Sequence, residues 1–218
     1  MAFGLPSRGT ATTQLLEALG LKRRDVSDVA LGALSRLAAE RDALAEKLAV
    51  AEDLADRDTL TPTYNRRAFI RELHRTMSEV ERYKTPAAVL YIDLDGFKAL
   101  NDSHGHAAGD AVLKHVGRLL VDSVRESDAV GRLGGDEFGV ILNRANPEEA
   151  RAKAQALSVQ LNSSAIIHAG QAHRVAISIG VHAVAIPEDP ETAIARADEA
   201  MYAEKFARRS EAQAFASF

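Results

Sequence analysis

Between Val26 and Ala55 small and apolar residues recur at alternating steps of four and three, at Ala30, Leu34, Leu37, Leu44, Leu48, Ala51 and Ala55, with Arg41 as one charged interruption. The stretch has no proline and a single glycine, Gly32, and is dominated by the strong helix formers Ala, Leu, Glu, Lys and Arg. The pattern predicts one long helix with a heptad seam. Such a seam needs a cover, either the chain's own globular part or a second copy in a parallel dimer, and the pattern favours the dimer. Ahead of it, Thr12 to Leu19 has the spacing of a short amphipathic helix ending at Gly20, followed by the basic run Lys22-Arg23-Arg24. Nothing in those residues points to a function.

Beyond Asp58 the texture changes. Pro62 closes off the long helix, and a second helix is expected from Arg66 to Tyr83. Ala87 to Ile92 reads as a buried strand, and Ala108 to Val124 has helical spacing in Val112, Val116, Leu119 and Leu120. Two short apolar runs between Val130 and Leu142 flank Gly134-Gly135, the pattern of a β-hairpin. A helix from Pro147 to Leu161, strands at Ala165–His168 and Val175–Val184 around Gly170, and a closing helix from Pro190 to Arg208 complete the expected elements. Helices and strands interleave without a repeat, so the class is mixed α and β. The expected organisation is an N-terminal helical segment, residues 1–55, and a globular domain, residues 56–218.

Composition narrows the chemistry. The 218 residues are 46% hydrophobic and include no cysteine, which removes disulfides, zinc-thiolate sites and thiol nucleophiles and fits a reducing cytoplasm. No apolar run approaches the roughly 20 residues of a membrane span, and the first residues lack the basic-then-apolar order of a secretory signal. The chain therefore reads as soluble, unprocessed and cytoplasmic. A formal net charge of −4 gives no electrostatic reason to expect a nucleic acid partner. A small phosphorylated ligand, which a few basic groups can hold, stays open.

Two acidic pairs stand out. Asp93 and Asp95 follow the Ala87 strand, where alternation sends both side chains to one side, and Asp136 and Glu137 lie at the expected hairpin turn. Each pair alone would be an ordinary exposed turn. If the hairpin pairs beside the Asp93 strand, three or four carboxylates converge, and divalent cations are needed to neutralise them. Magnesium suits such hard oxygen ligands and is commonly shared with substrate phosphates, with manganese as a substitute. Between the pairs, Lys98 can meet a phosphate, while Asn101 and Asp110 offer the donor and acceptor groups that a guanine edge requires.

The run Arg132-Leu133-Gly134-Gly135-Asp136-Glu137-Phe138 contains the GGDEF signature letter for letter. With it stand Asp93-Leu94-Asp95-Gly96-Phe97-Lys98, Asn101-Asp102, Gly105-His106 through Gly109-Asp110, Asn65-Arg66-Arg67-Ala68-Phe69 and Ser178-Ile179-Gly180-Val181. In order and spacing these blocks resemble the GGDEF-domain diguanylate cyclase family across roughly residues 56 to 210. The resemblance implies an α+β fold: a central, mainly antiparallel five-stranded sheet flanked by helices, like the palm of nucleotide cyclases and polymerases, here preceded by a helical coiled coil. It implies condensation of two GTP molecules into cyclic di-GMP and two pyrophosphates, dependent on magnesium. One GTP binds per domain, so the active form is a dimer.

Carried over residue by residue, the resemblance makes Asp93, the backbone carbonyl of Leu94, Asp136 and Glu137 the metal site, and Asp136 or Glu137 the proton acceptor. Gly134 and Gly135 let the backbone approach the nucleotide, Asn101 and Asp110 recognise guanine, and Lys98, Lys205 and Arg209 hold the triphosphate. Arg125 and Asp128 resemble the inhibitory product site, where cyclic di-GMP would act as feedback inhibitor. A further arginine that often serves this site is replaced by Ala156, and Arg151 or Lys153 is the candidate substitute. Other departures are Pro62-Thr63, Glu204 and Arg208. The alternatives are a catalytically silent domain that binds cyclic di-GMP or GTP as a receptor, and a coiled-coil adaptor.

Overall fold

The computed structural model describes residues 13, 16–18, 20–22, 24, 26–184 and 188–215, with side chains as far as residue 207. The chain divides between Ala55 and Asp56 into two compact units. Helix α1, Asp28–Asp56, runs to the end of the first unit, and Ala38 is its buried residue. Leu37, Leu44 and Leu48 of the heptad seam are 61%, 65% and 58% exposed, while Ala30 and Leu34 are half-buried. The short helix expected over Thr12–Leu19 and the basic run after it lie in part outside the described residues.

The second unit contains β1 (Tyr64–Asn65), α2 (Arg66–Tyr83), β2 (Ala87–Asp95), α3 (Phe97–His104), α4 (His106–Asp122), β3 (Ala129–Arg132), β4 (Glu137–Asn143), α5 (Pro147–Ser163), β5 (Ile166–His168), β6 (Gln171–His173), β7 (Ala176–Val184) and α6 (Pro190–Phe215). Five strands form one sheet in the order β1-β3-β4-β2-β7, and β5 and β6 form a separate hairpin. β1 pairs with β3 in parallel; β3 with β4, β4 with β2 and β2 with β7 pair antiparallel. Among the described residues no helix is long and apolar enough to cross a membrane.

β2 is central because both of its faces are apolar, the pattern of a strand covered on two sides. Ala88, Leu90, Ile92 and Leu94 join the core formed with Val112, Val116 and Leu120 of α4 and Leu157 and Leu161 of α5. Val89 and Tyr91 point the other way, into a core with Phe69, Leu73 and Met77 of α2 and Ala193, Ala197 and Met201 of α6. Two glycines set the approach of those helices. A Cβ on Gly139 would stand 2.6 Å from the Phe69 ring, and one on Gly180 would stand 1.9 Å from the Ala197 carbonyl oxygen.

Local signals fix the helix ends. The Asn65 side chain accepts from Ala68 N at 3.0 Å to start α2. Asn146 and Glu149 form a capping box around Pro147 to start α5. α1 ends at Asp56, one residue past the expected Ala55, and the turn that follows is held by Asp58 Oδ1, which accepts from Leu60 N, Thr61 N and the Thr61 hydroxyl. The differences from the sequence reading are local. β2 continues past Ile92 to Asp95 because Asp93, Leu94 and Asp95 pair with Ser178, Ile177 and Ala176 of β7. Gly105, at φ 80°, separates α3 from α4, so α3 is an additional helix.

Candidate active site

The ends of β2 and β4 meet at the hairpin turn. Asp93 lies opposite Glu137 on one side and Ser178 on the other. Leu94 N donates to the Asp136 carbonyl at 3.3 Å, which ties the turn to the strand end whose Leu94 carbonyl was expected to face a metal. Lys205 comes in from α6. Its ammonium pairs with Asp93 and also with Asp95 Oδ1 at 2.8 Å, all three side chains being largely buried. The buried Ser178 hydroxyl donates to Asp95, 3.1 Å and 2.9 Å from its two carboxylate oxygens. Lys205, expected on phosphates, pairs here with the strand-end aspartates.

Burial pushes the Asp136 carboxyl above the usual aspartate range, and the charges of Asp93 and Glu137 push it further, against the pull of Lys205. Burial also opposes the charge on Lys205, but the hydrogen bonds it donates to Asp93 and Asp95 outweigh it and hold the ammonium above its ordinary range. Glu137 folds over the turn: a Cβ on Gly134 would stand 2.1 Å from its Oε2, whereas Gly135 faces open space. Burial pushes the Tyr91 phenol far above its usual range, and the nearby Glu137 carboxylate adds to the rise.

Arg132 clamps the turn from behind. Its Nε and Nη2 donate to the Gly135 carbonyl at 3.2 Å and 2.7 Å, and its Nη1 reaches Asp58 Oδ1 at 3.2 Å. Ser178, Tyr91 and the Asp58–Arg132 clamp were not singled out from the sequence. Period-two alternation places Tyr91 on the face of Asp93 and could have found it; Asp58 and Arg132 are too far apart in the chain for any local signal.

On α3 the Asn101 Oδ1 is buried without a hydrogen-bond partner among the described residues. A Cβ on Gly109 would stand 2.0 Å from that oxygen, so glycine there makes room for it. An unpaired buried acceptor is costly unless a ligand satisfies it. Asp110 and Lys98 are exposed on α4 and α3, and no hydrogen bond or ion pair among the described residues joins them to the carboxylates. The Arg209 side chain lies outside the described residues.

Asp93, Asp136 and Glu137 are hard oxygen donors crowded enough to raise one of their own proton affinities, and this donor chemistry fits a magnesium ion. As the side chains stand, no three carboxylates or imidazoles among the described residues close into a coordination shell. Asp93 is turned to Lys205, so binding a cation there requires the ammonium to yield or share.

Comparison with known proteins decides the family, for residues 55–211 match the model of the diguanylate cyclase GGDEF domain. The chain belongs to the GGDEF diguanylate cyclase family. This GGDEF protein is 42% identical over 127 residues to the probable diguanylate cyclase DgcE of Escherichia coli K12, covering 58% of this chain and 12% of that one. It spans 12% and 35% of the length of two of its curated relatives. A sensory box/GGDEF family protein of Caulobacter crescentus superimposes with a TM-score of 0.65 at 36% identity, over 70% of this chain and 99% of that one. The coiled coil and GGDEF domain of DgcB from the same organism, solved in complex with cyclic di-GMP, gives a TM-score of 0.72 at 28% identity, over 81% of this chain and 94% of that one.

At the opposite end of the GGDEF hairpin is a groove of about 360 Å³ lined in part by Arg125, Asp128, Asn143, Arg144, Lys153 and Ala156. Asp128 closes it structurally, accepting from Arg125 N and Asn143 N, each at 3.0 Å. Asn143 in turn donates to the Ser127 carbonyl and accepts from Thr76 of α2 at 3.0 Å. Arg125 is exposed, and Lys153 donates to the Ser123 carbonyl. Of the two candidate substitutes for the missing arginine, Lys153 lines this groove; Arg151 lines a different cleft with Ile177, Ile179 and Glu204.

Proposed function

We propose that the chain condenses two GTP molecules into cyclic di-GMP and two pyrophosphates. The observation that carries this reading is the meeting of Asp93, Asp136, Glu137 and Lys205 where β2 and β4 end. The ribose 3′-hydroxyl of one GTP attacks the α-phosphorus of the other, the bond from that phosphorus to the pyrophosphate breaks, and the step is repeated in the other direction. A magnesium or manganese ion held by Asp93, the Leu94 carbonyl, Asp136 and Glu137 would polarise the phosphoryl oxygens and acidify the hydroxyl. Asp136 or Glu137 would receive the proton.

Lys205, released from the aspartates, meets the triphosphate together with Lys98 and Arg209. Asn101, with its unsatisfied oxygen, and Asp110 read the guanine edge. Two domains must face each other, and residues 1–55 supply the means. The exposed Leu37, Leu44 and Leu48 of α1 form a stripe that a second copy covers as a parallel coiled coil, raising the effective concentration of one domain at the other. Arg125, Arg144 and Lys153 give the second groove three cations for a phosphodiester, so product binding there provides feedback inhibition.

Incubation of the purified chain with GTP and magnesium, beside Glu137→Gln, tests this reading by chromatographic identification of the nucleotides. Cyclic di-GMP from the parent alone supports it. Binding of cyclic di-GMP without any turnover would replace it with the receptor reading.

A further inference from the structure

We propose that His104 and His173 together bind a divalent transition-metal ion of the kind that imidazole suits, at the junction of α3 and the β5–β6 hairpin. The inference is independent of the cyclase reading, and its donors are nitrogens rather than the carboxylates at the hairpin turn.

The fold brings the two rings together from distant parts of the chain. Gly105, at φ 80°, breaks the helix and leaves His104 as the last residue of α3. His173 ends β6, where it pairs with Ile166 of β5. Partners opposite each other in an antiparallel pair share a face, and both of these are buried, Ile166 in the core with Val112 and Val116 of α4. The His104 ring, on an exposed residue at the helix end, meets the ring of the buried His173 with centroids 4.7 Å apart and planes at 70°.

A packed pair of rings does not by itself call for nitrogen. Phenylalanine would fill both positions, and an imidazole carries a donor and an acceptor that cost free energy when buried unmatched. Neither imidazole has a hydrogen bond or ion pair with another described residue. A metal ion satisfies both rings at once, and imidazole is a preferred ligand of zinc, copper and nickel. The spacing agrees. An ion about 2.0–2.1 Å from a ring nitrogen lies about 3.2 Å from the ring centre, so two rings on one ion have centres about 4.5 Å apart at a right angle and about 5.2 Å apart at the tetrahedral angle. The observed 4.7 Å falls between them. One buried ring gives a fixed ligand, and the exposed one gives an entry path from solvent. Water completes the shell, since no third imidazole or carboxylate among the described residues closes on the pair. His104 lies one turn after Asn101 on α3, so the ion would tether that helix end to the β5–β6 hairpin.

The test is titration of the full chain with Cu²⁺ in excess magnesium, which competes for the hard carboxylates, read from the electron paramagnetic resonance of the bound ion. The parent should show nitrogen superhyperfine coupling, which carboxylate ligands do not give. His104→Ala and His173→Ala should each weaken that binding about tenfold or more, since one imidazole then acts without the effective concentration of the other. His74→Ala, which removes an exposed imidazole on α2, should bind as the parent does. Because His104 sits on an exposed helix end, its variant carries the test even where loss of the buried His173 ring prevents folding. Affinity within twofold of the parent for His104→Ala, an equal loss for His74→Ala, or a spectrum without nitrogen coupling overturns the proposal and leaves the cyclase reading in place.

Discussion

The β3–β4 hairpin carries acidic residues at both ends and treats them in opposite ways. At the open end, Asp128 gives each carboxylate oxygen to a backbone amide, of Arg125 and of Asn143. At the turn, burial, with the charges of Asp93 and Glu137, drives the Asp136 carboxyl above its ordinary range. The first carboxylate is satisfied by the fold and leaves Arg125 exposed for a ligand. Among the described residues, the second cluster meets the ammonium of Lys205 at Asp93 and Asp95. An acid saturated by amides serves stability; an acid left in excess serves a cation.

Substitutions should separate the two ends. Glu137→Gln should lower product formation by about 10²–10⁴-fold, the usual range for a group acting on the reacting proton or charge, without lowering the melting temperature. Arg125→Ala should leave turnover without added product unchanged while weakening cyclic di-GMP binding about 10–100-fold, as loss of a charged hydrogen-bonding group does, measured by calorimetry. Asp128→Ala should instead destabilise the fold by about 1–3 kcal/mol in denaturant titration, because two amides lose their acceptor.

The sign of the pH dependence sharpens the contrast further. Asp136 has a raised carboxyl, so its contribution to stability is full below the unfolded value of 3.8 and is lost as pH rises through the higher folded value. Asp136→Asn in chelator should therefore melt higher than the parent at pH 7, with the gain shrinking toward pH 4. Asp58 behaves oppositely. Burial opposes its charge, but hydrogen bonds from Thr61 and Arg132 hold the carboxyl below 3.8, so its stabilisation is present at neutral pH and lost as pH falls through the folded value. Asp58→Asn should melt lower at pH 7, and the gap should close in strong acid. The smallest expected effect is Thr76→Val, about 1 kcal/mol, for one hydrogen bond to Asn143.

Much of this was legible along the chain. The Ala87 strand announced itself by an unbroken apolar run because both faces are covered, and α2 by Asn65 and its spacing. The acidic pairs were visible as letters, and strand alternation placed Asp93 and Asp95 on one side. Their actual partners were not visible. Ser178 is 83 residues from Asp95 and Asp58 is 74 from Arg132, and no periodicity carries information over such separations. β1 and β6 have two and three residues, too short for any alternation to show. Lys205 was expected to hold the triphosphate; its pairing with the aspartates depends on where α6 packs against β7 at Gly180, a packing fact.

That pairing gives the strand-end aspartates a built-in counter-ion. On the proposed chemistry a divalent ion would compete with the Lys205 ammonium for Asp93, and a triphosphate would offer the displaced ammonium another anion.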